Sequence, residues 1–264
     1  MEEQVSDADA AVFRDFHDRC VSAFRRLFGL ARDNEEVPYA LSLSPEMRGS
    51  RDPGWNTALE AKHTLDDYIQ LLQLAPAGSS MRVRVGLSLY SHLSEAAGFY
   101  EVPKNMMRIA GGEDFNLWPF SGLVEKHAAS GARIAPNATK VMKDLLGHAG
   151  SLGLDDFQAI ILETFDFDLR NGYAHADYVV WDDGVRLPKR NGGQPRVVPF
   201  SELTLKVNKS ISLFTALNDT VAESMQEYAV PKRTSGRINS RNPVMPAIIS
   251  YSDEGFSIKL GFGL

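Results

Sequence analysis

Asp168-Leu169-Arg170-Asn171-Gly172-Tyr173-Ala174-His175-Ala176-Asp177-Tyr178 is the stretch that decides how this chain of 264 residues is read. Upstream of it, Phe157, Ile160, Ile161, Thr164 and Phe165 recur at helical spacing from Leu154 onward. Asp155 and Asp156 fall in the first turn, where carboxylates suit the positive end of a helix. The spacing predicts one helix running from Leu154 into the Arg-Asn-Gly segment. Downstream the period changes to two. Tyr178 to Leu187 alternates around Asp183-Gly184, a pair that tolerates positive φ, and this predicts a β-hairpin. By itself, Arg170 followed by Asn171-Gly172 is ordinary helix-ending chemistry, because Gly at position 172 favours a stop or a kink.

Helical patterns lie on both sides. Val12, Phe13, Phe16, Cys20, Phe24, Leu27 and Phe28 mark a helix over about 8–30, with Ser6 or Asp7 as cap and Gly29 near its end. Residues 32–54 carry Asp33-Asn34, Pro38, Ser44-Pro45, Gly49 and Pro53-Gly54 and read as an irregular connection. Helices are predicted over about 56–74, 80–97 and 137–148; residues 100–135 are mixed and rich in Gly and aromatics. The longest stripe is Leu203, Val207, Ile211, Phe214, Leu217, Val221, Met225 and Tyr228, a helix over about 200–228. After Pro231 a basic polar linker is expected, then two strand-like runs, 247–251 and 256–260.

The balance of 44% hydrophobic and 23% charged residues is that of an ordinary globular protein with a sizeable core. The single cysteine, Cys20, excludes an internal disulfide and a Cys-based zinc site. No apolar run approaches the roughly 18 residues of a membrane span. The start Met1-Glu2-Glu3-Gln4 lacks the basic region of a signal peptide, so a cytoplasmic protein without membrane contact is expected. Net charge is −6, which gives no general attraction to nucleic acid, so an RNA site would have to be a local patch.

The arrangement of an apolar helix, Arg170-Asn171, three residues, His175 and an immediate hairpin resembles the HEPN superfamily. That family's motif is Arg, four to six residues with a polar one directly after Arg, then His. Here four residues intervene and the polar one is Asn171. The likeness is specific over 163–187 and looser over the helices at about 56–97, 137–170 and 200–228, about two-thirds of the chain. Leu89-Tyr90-Ser91-His92-Leu93-Ser94-Glu95 also looks like an early helix of some bacterial members. The resemblance implies a mainly α fold: a HEPN-like helical bundle with a β-hairpin after the motif helix and a short β tail. Its parts would be 1–54 as an N-terminal helix and connection, 55–230 as the helical domain, and 231–264 as basic linker and tail. It further implies a homodimer whose two motif copies line one cleft. Phage defence, a toxin–antitoxin pair with an antitoxin or regulatory protein partner, or an RNA stress response would be its setting.

The residue types suit metal-independent RNA cleavage, with no cofactor. Such a reaction needs a base for the ribose 2′-OH, an acid for the leaving 5′-oxygen and a cation for charge gathering at phosphorus. An unperturbed imidazole titrates near 6.5, which suits His175 to proton transfer. A guanidinium holds phosphate bidentately, which suits Arg170. Asn171 would orient substrate or imidazole. Arg170, Asn171 and His175 are therefore the candidate catalytic residues. On an ideal helix Arg170 and His175 lie about 140° apart, so either the backbone bends at Gly172 or the two side chains meet across a dimer. The family implies the dimer.

Arg186, Lys189, Arg190 and Arg196 bracket Gly192-Gly193 and are candidate RNA contacts; Lys232, Arg233, Arg237 and Arg241 form a second cluster. Both are also what solvated loops look like. Gly111-Gly112-Glu113-Asp114-Phe115 reads as a turn, and Gly150-Ser151-Leu152-Gly153 lacks the spacing of a nucleophile elbow. His17, His63, His92, His127 and His148 show no metal-ligand spacing, and no metal site is expected. Two functions of different class are carried forward: a HEPN-type endoribonuclease, and a non-catalytic HEPN-like module that binds nucleotide, RNA or protein.

Overall fold

The computed structural model describes residues 7–44, 57–189, 192–252 and 257–263. Among them the chain is mainly helical, with three small antiparallel sheets. Helix α1 (Asp7–Asn34) runs on past Gly29 because its buried stripe continues through Phe16, Cys20, Ala23, Phe24, Leu27, Phe28 and Ala31. It packs along α5 (Ala97–Ala110), α7 (Asp155–Thr164) and α9 (Phe200–Gln226). Residues Phe16 to Leu43 thus supply side chains to the same core as the later helices. Of the predicted stripe, Leu203, Val207, Phe214, Leu217, Met225 and Tyr228 are buried and Ile211 and Val221 partly so; α9 buries Leu213 as well.

Around this centre stand α3 (Thr57–Leu74), α4 (Ser80–Glu95) and α6 (Ala138–Ser151). Phe99 and Phe214 stack with ring centroids 3.5 Å apart and so lock α5 onto α9.

Four local readings are corrected. A helix, α2 (Glu36–Ser42), lies inside the stretch expected to be irregular. Pro38 sits in its first turn, where the missing N–H has no helical partner to lose. The remaining turn signals of that stretch, Pro45 to Gly54, lie outside the described residues. Helix α5 occupies part of the mixed region; it holds Pro103 internally and is kept helical by a face of nine buried residues. The helix feeding the motif is not continuous: it breaks at Phe165-Asp166 and restarts as α8 (Phe167–Ala174). The expected basic linker after Pro231 is instead a strand, β6 (Lys232–Gly236).

The hairpin forms from β3 (Val179–Trp181) and β4 (Gly184–Leu187), and β5 (Arg196–Val198) adds a third strand. Trp181 pairs with Gly184, so the turn is Asp182-Asp183, one residue earlier than the sequence signal. Gly184 has φ 143, and a Cβ there would stand 2.3 Å from the Val198 carbonyl oxygen. The tail sheet has β7 (Met245–Ser252) between β6 and β8 (Ser257–Phe262). A separate two-residue pair, Glu125–Lys126 with Arg133–Ile134, completes the strands. Among the described residues no helix is long and apolar enough to cross a membrane.

Candidate functional site

Helix α8 carries the motif, and its start is built by side chains. The Asp166 carboxylate accepts from the backbone N–H groups of Asp168 (3.1 Å) and Leu169 (3.0 Å), the standard way to satisfy the orphan donors of a helix N-terminus. The break before it is held by Tyr90 of α4. Its hydroxyl donates to the Thr164 carbonyl (3.1 Å) and accepts from the Asp166 N–H (2.5 Å). Arg196 of β5 closes the corner, donating to Asp166 (2.6 Å) and Glu202 (2.5 Å).

The end of α8 is equally defined. The Asp177 N–H donates to the Gly172 carbonyl (2.7 Å) and the Ala176 N–H to that of Tyr173 (3.0 Å), the paired bonds of a Schellman ending. Ala176 occupies the left-handed position, φ 52, that glycine normally fills. Gly172 is helical and buried. Its lack of a side chain serves close approach: a Cβ there would lie 2.5 Å from Leu187 Cδ2 and 3.3 Å from the Asp177 carbonyl oxygen. The hairpin is seated directly on this glycine.

Arg170 points inward. Its side chain is 12% exposed and ion-paired with Glu95 at the end of α4. Nη1 donates to Asn171 Oδ1 at 2.6 Å, while Nε is buried without a hydrogen-bond partner. Burial alone draws the guanidinium below its ordinary range, and the Glu95 carboxylate beside it favours the charged form. Asn171 therefore orients Arg170, not an imidazole. His175 is the C-cap of α8, and its backbone N–H donates to the Asn171 carbonyl at 3.0 Å. Its side chain is exposed and has neither hydrogen bond nor ion pair among the described residues. On an ideal helix Arg170 and His175 would stand about 140° apart; here α8 ends at Ala174, and His175, its C-cap, has φ −100 and ψ 10.

Three of the candidate RNA-contacting cations are paired with carboxylates. Arg186 donates to Asp183 at 3.0 and 2.9 Å and lies 5.5 Å from the centre of the Trp181 ring. Lys189 is paired with Asp168 on the motif helix itself, and Lys232 with Glu36 of α2. Arg233 lies on the exposed face of β6, and Arg190 lies outside the described residues. Most of this charge is already neutralised. No cluster of three or more His, Cys, Asp or Glu side chains fit to hold a metal occurs among the described residues.

Two contributors escaped the sequence reading. Glu95 closes the stretch that was singled out on α4, yet nothing in its neighbours signals a contact with Arg170. Asp166 did carry a signal. An Asp just before Phe167 and two residues ahead of Asp168 is a cap pattern, and the apolar run through Phe165 hid it. No family model, curated protein or solved structure matches the chain.

Proposed function

We propose that this chain is a HEPN-like, metal-independent endoribonuclease that works as a homodimer. In this reading the 2′-oxygen of the RNA attacks the adjacent phosphorus and gives up its proton, and the bond to the 5′-oxygen breaks. The leaving oxygen takes a proton, and the products end in a 2′,3′-cyclic phosphate and a 5′-hydroxyl. His175 performs the proton transfers, Arg170 neutralises the phosphate, and Asn171 fixes the guanidinium. The observation that carries the reading is a contrast between the body of one short helix and its C-cap. A guanidinium is held by Asn171 and Glu95, and five residues onward an imidazole stands exposed with no hydrogen bond or ion pair among the described residues. In this reading the Arg170 of one copy serves the His175 of another.

The second reading is a non-catalytic HEPN-like module that binds nucleotide, RNA or protein. It is favoured by the existing pairing of Arg170 with Glu95 and by the neutralised cations of the hairpin. Incubation of the purified chain with mixed RNA in EDTA, beside Arg170→Ala and His175→Ala, separates the two. Cleavage lost in both folded variants supports the enzyme. Intact RNA with wild type, or equal cleavage by the variants, sinks it.

A further inference from the structure

Outside the motif, α5 and α6 meet across a row of charged side chains that is buried at Lys104 and exposed at Glu113. The Lys104 ammonium, on a side chain 8% exposed, is ion-paired with Asp144 Oδ2 at 2.7 Å and lies 3.0 Å from His148 Nδ1. On its other side His148 Nε2 is 3.6 Å from Glu113 Oε1, and Glu113 Oε2 is 2.7 Å from Arg108 Nη1. Lys104 and Arg108 are one turn apart on α5, as are Asp144 and His148 on α6.

A lysine ammonium has only donors. Its contact with Nδ1 therefore requires that nitrogen to be the acceptor, which puts the ring proton on Nε2, toward Glu113. A protonated imidazole has no acceptor left. It would set two cations 3.0 Å apart where Lys104 has almost no water to turn to. The charged groups acting on His148 are Lys104 and Arg108 from α5, Asp144 from its own helix and Glu113 from the turn after α5. Burial first, then Lys104, hold it below the ordinary value of 6.5, with the two carboxylates opposing.

That turn anchors the C-terminal part of the chain. The Arg108 Nε donates to the Asp114 carbonyl (3.1 Å), and the Asp114 carboxylate accepts from Ser240 N–H (2.6 Å) and Oγ (2.8 Å). Arg237, close by in sequence, donates to Glu35 at 2.7 Å. We infer that the Lys104–His148 contact is a proton-controlled clasp, which on protonation of His148 releases the α5–α6 seam and loosens the 111–116 turn with the 237–242 segment fastened to it. The sign follows from linkage. His148 is held neutral in the closed form and takes a proton more readily when the clasp opens, so closure is complete above 6.5 and weakens as pH falls below it.

Hydrogen exchange of the full chain at pH 7.5 and 5.5, corrected for intrinsic rates, tests this. At pH 5.5, exchange in 111–116 and 237–242 is expected to be up to about tenfold faster, the linkage limit one unit below the ordinary value. His148→Gln, whose amide accepts from Lys104 and donates to Glu113 without titrating, should stay protected at both pH values. Lys104→Met should exchange fast at both. Equal wild-type protection at the two pH values overturns the proposal, as does a pH response that survives in His148→Gln. Should that variant not fold, titration of the His148 ring by NMR in the wild type decides, and a midpoint at or above 6.5 overturns it.

Discussion

Ala176 holds a left-handed backbone conformation at the point where the motif helix ends. A side chain there crowds the following carbonyl, and glycine is relieved of that penalty at a small cost in chain entropy. Ala176→Gly should therefore stabilise the fold by about 0.5–1 kcal/mol. Denaturant titration would show a higher midpoint, and a lower one refutes the assignment. Gly172 makes the opposite demand. A methyl group there drives into Leu187, so Gly172→Ala should cost about 1–3 kcal/mol. Adding Leu187→Ala to that variant should cost less than Leu187→Ala alone, a coupling that a double-mutant cycle measures. Of the two, only Gly172 was read in the sequence as a helix-ending signal. Which one ends the helix and which one receives a strand depends on contacts with residues 177 and 187, and no local pattern states those.

Between α7 and α8 the chain turns on a single phenol. Tyr90 satisfies a buried carbonyl and a buried N–H at once, so Tyr90→Phe should destabilise the protein by about 1–3 kcal/mol. Urea unfolding against wild type gives the value, and no change would show that water replaces the hydroxyl. The seam of α1, α7 and α9 has its own electrostatic tie. Glu163 binds Arg19 and accepts from Lys209 at 2.8 Å; the Arg19 contact leads in pulling its carboxyl from 4.5 to about 2. A depressed carboxylate contributes stability above its ordinary value and loses it as pH falls through the folded one. The loss should fall between pH 4.5 and about 2, and Glu163→Gln should flatten that limb of the stability curve. An unchanged acid limb in the variant would assign acid sensitivity elsewhere. The break itself was missed because Phe165 and Leu169 are both buried and continue the apolar pattern across it.

At the scale of the whole molecule, the composite-site reading makes a prediction that a single-protomer site does not. Arg170→Ala and His175→Ala proteins, each inactive, should regain RNA cleavage when mixed and allowed to exchange subunits. One of the two sites in the mixed dimer then keeps both residues. No recovery, with exchange shown by mass spectrometry, rules out the shared site. By itself the sequence determined the helical character, the stripes of α1 and α9, the hairpin after residue 178 and the placing of Arg170, Asn171 and His175 at one helix end. These are periodicities and turn chemistries, set by neighbours in the chain. Packing alone settled the break at Asp166, the inward turn of Arg170 to Glu95 and the pairing of Lys189 with Asp168 and of Lys232 with Glu36. It also decided that β6, read as a basic linker, is a strand. The physical reason is that these contacts need a partner distant in the chain and brought near by packing. Glu95 reaches Arg170 only because α4 lies against α8, and Lys232–Gly236 becomes a strand only because β7 lies beside it.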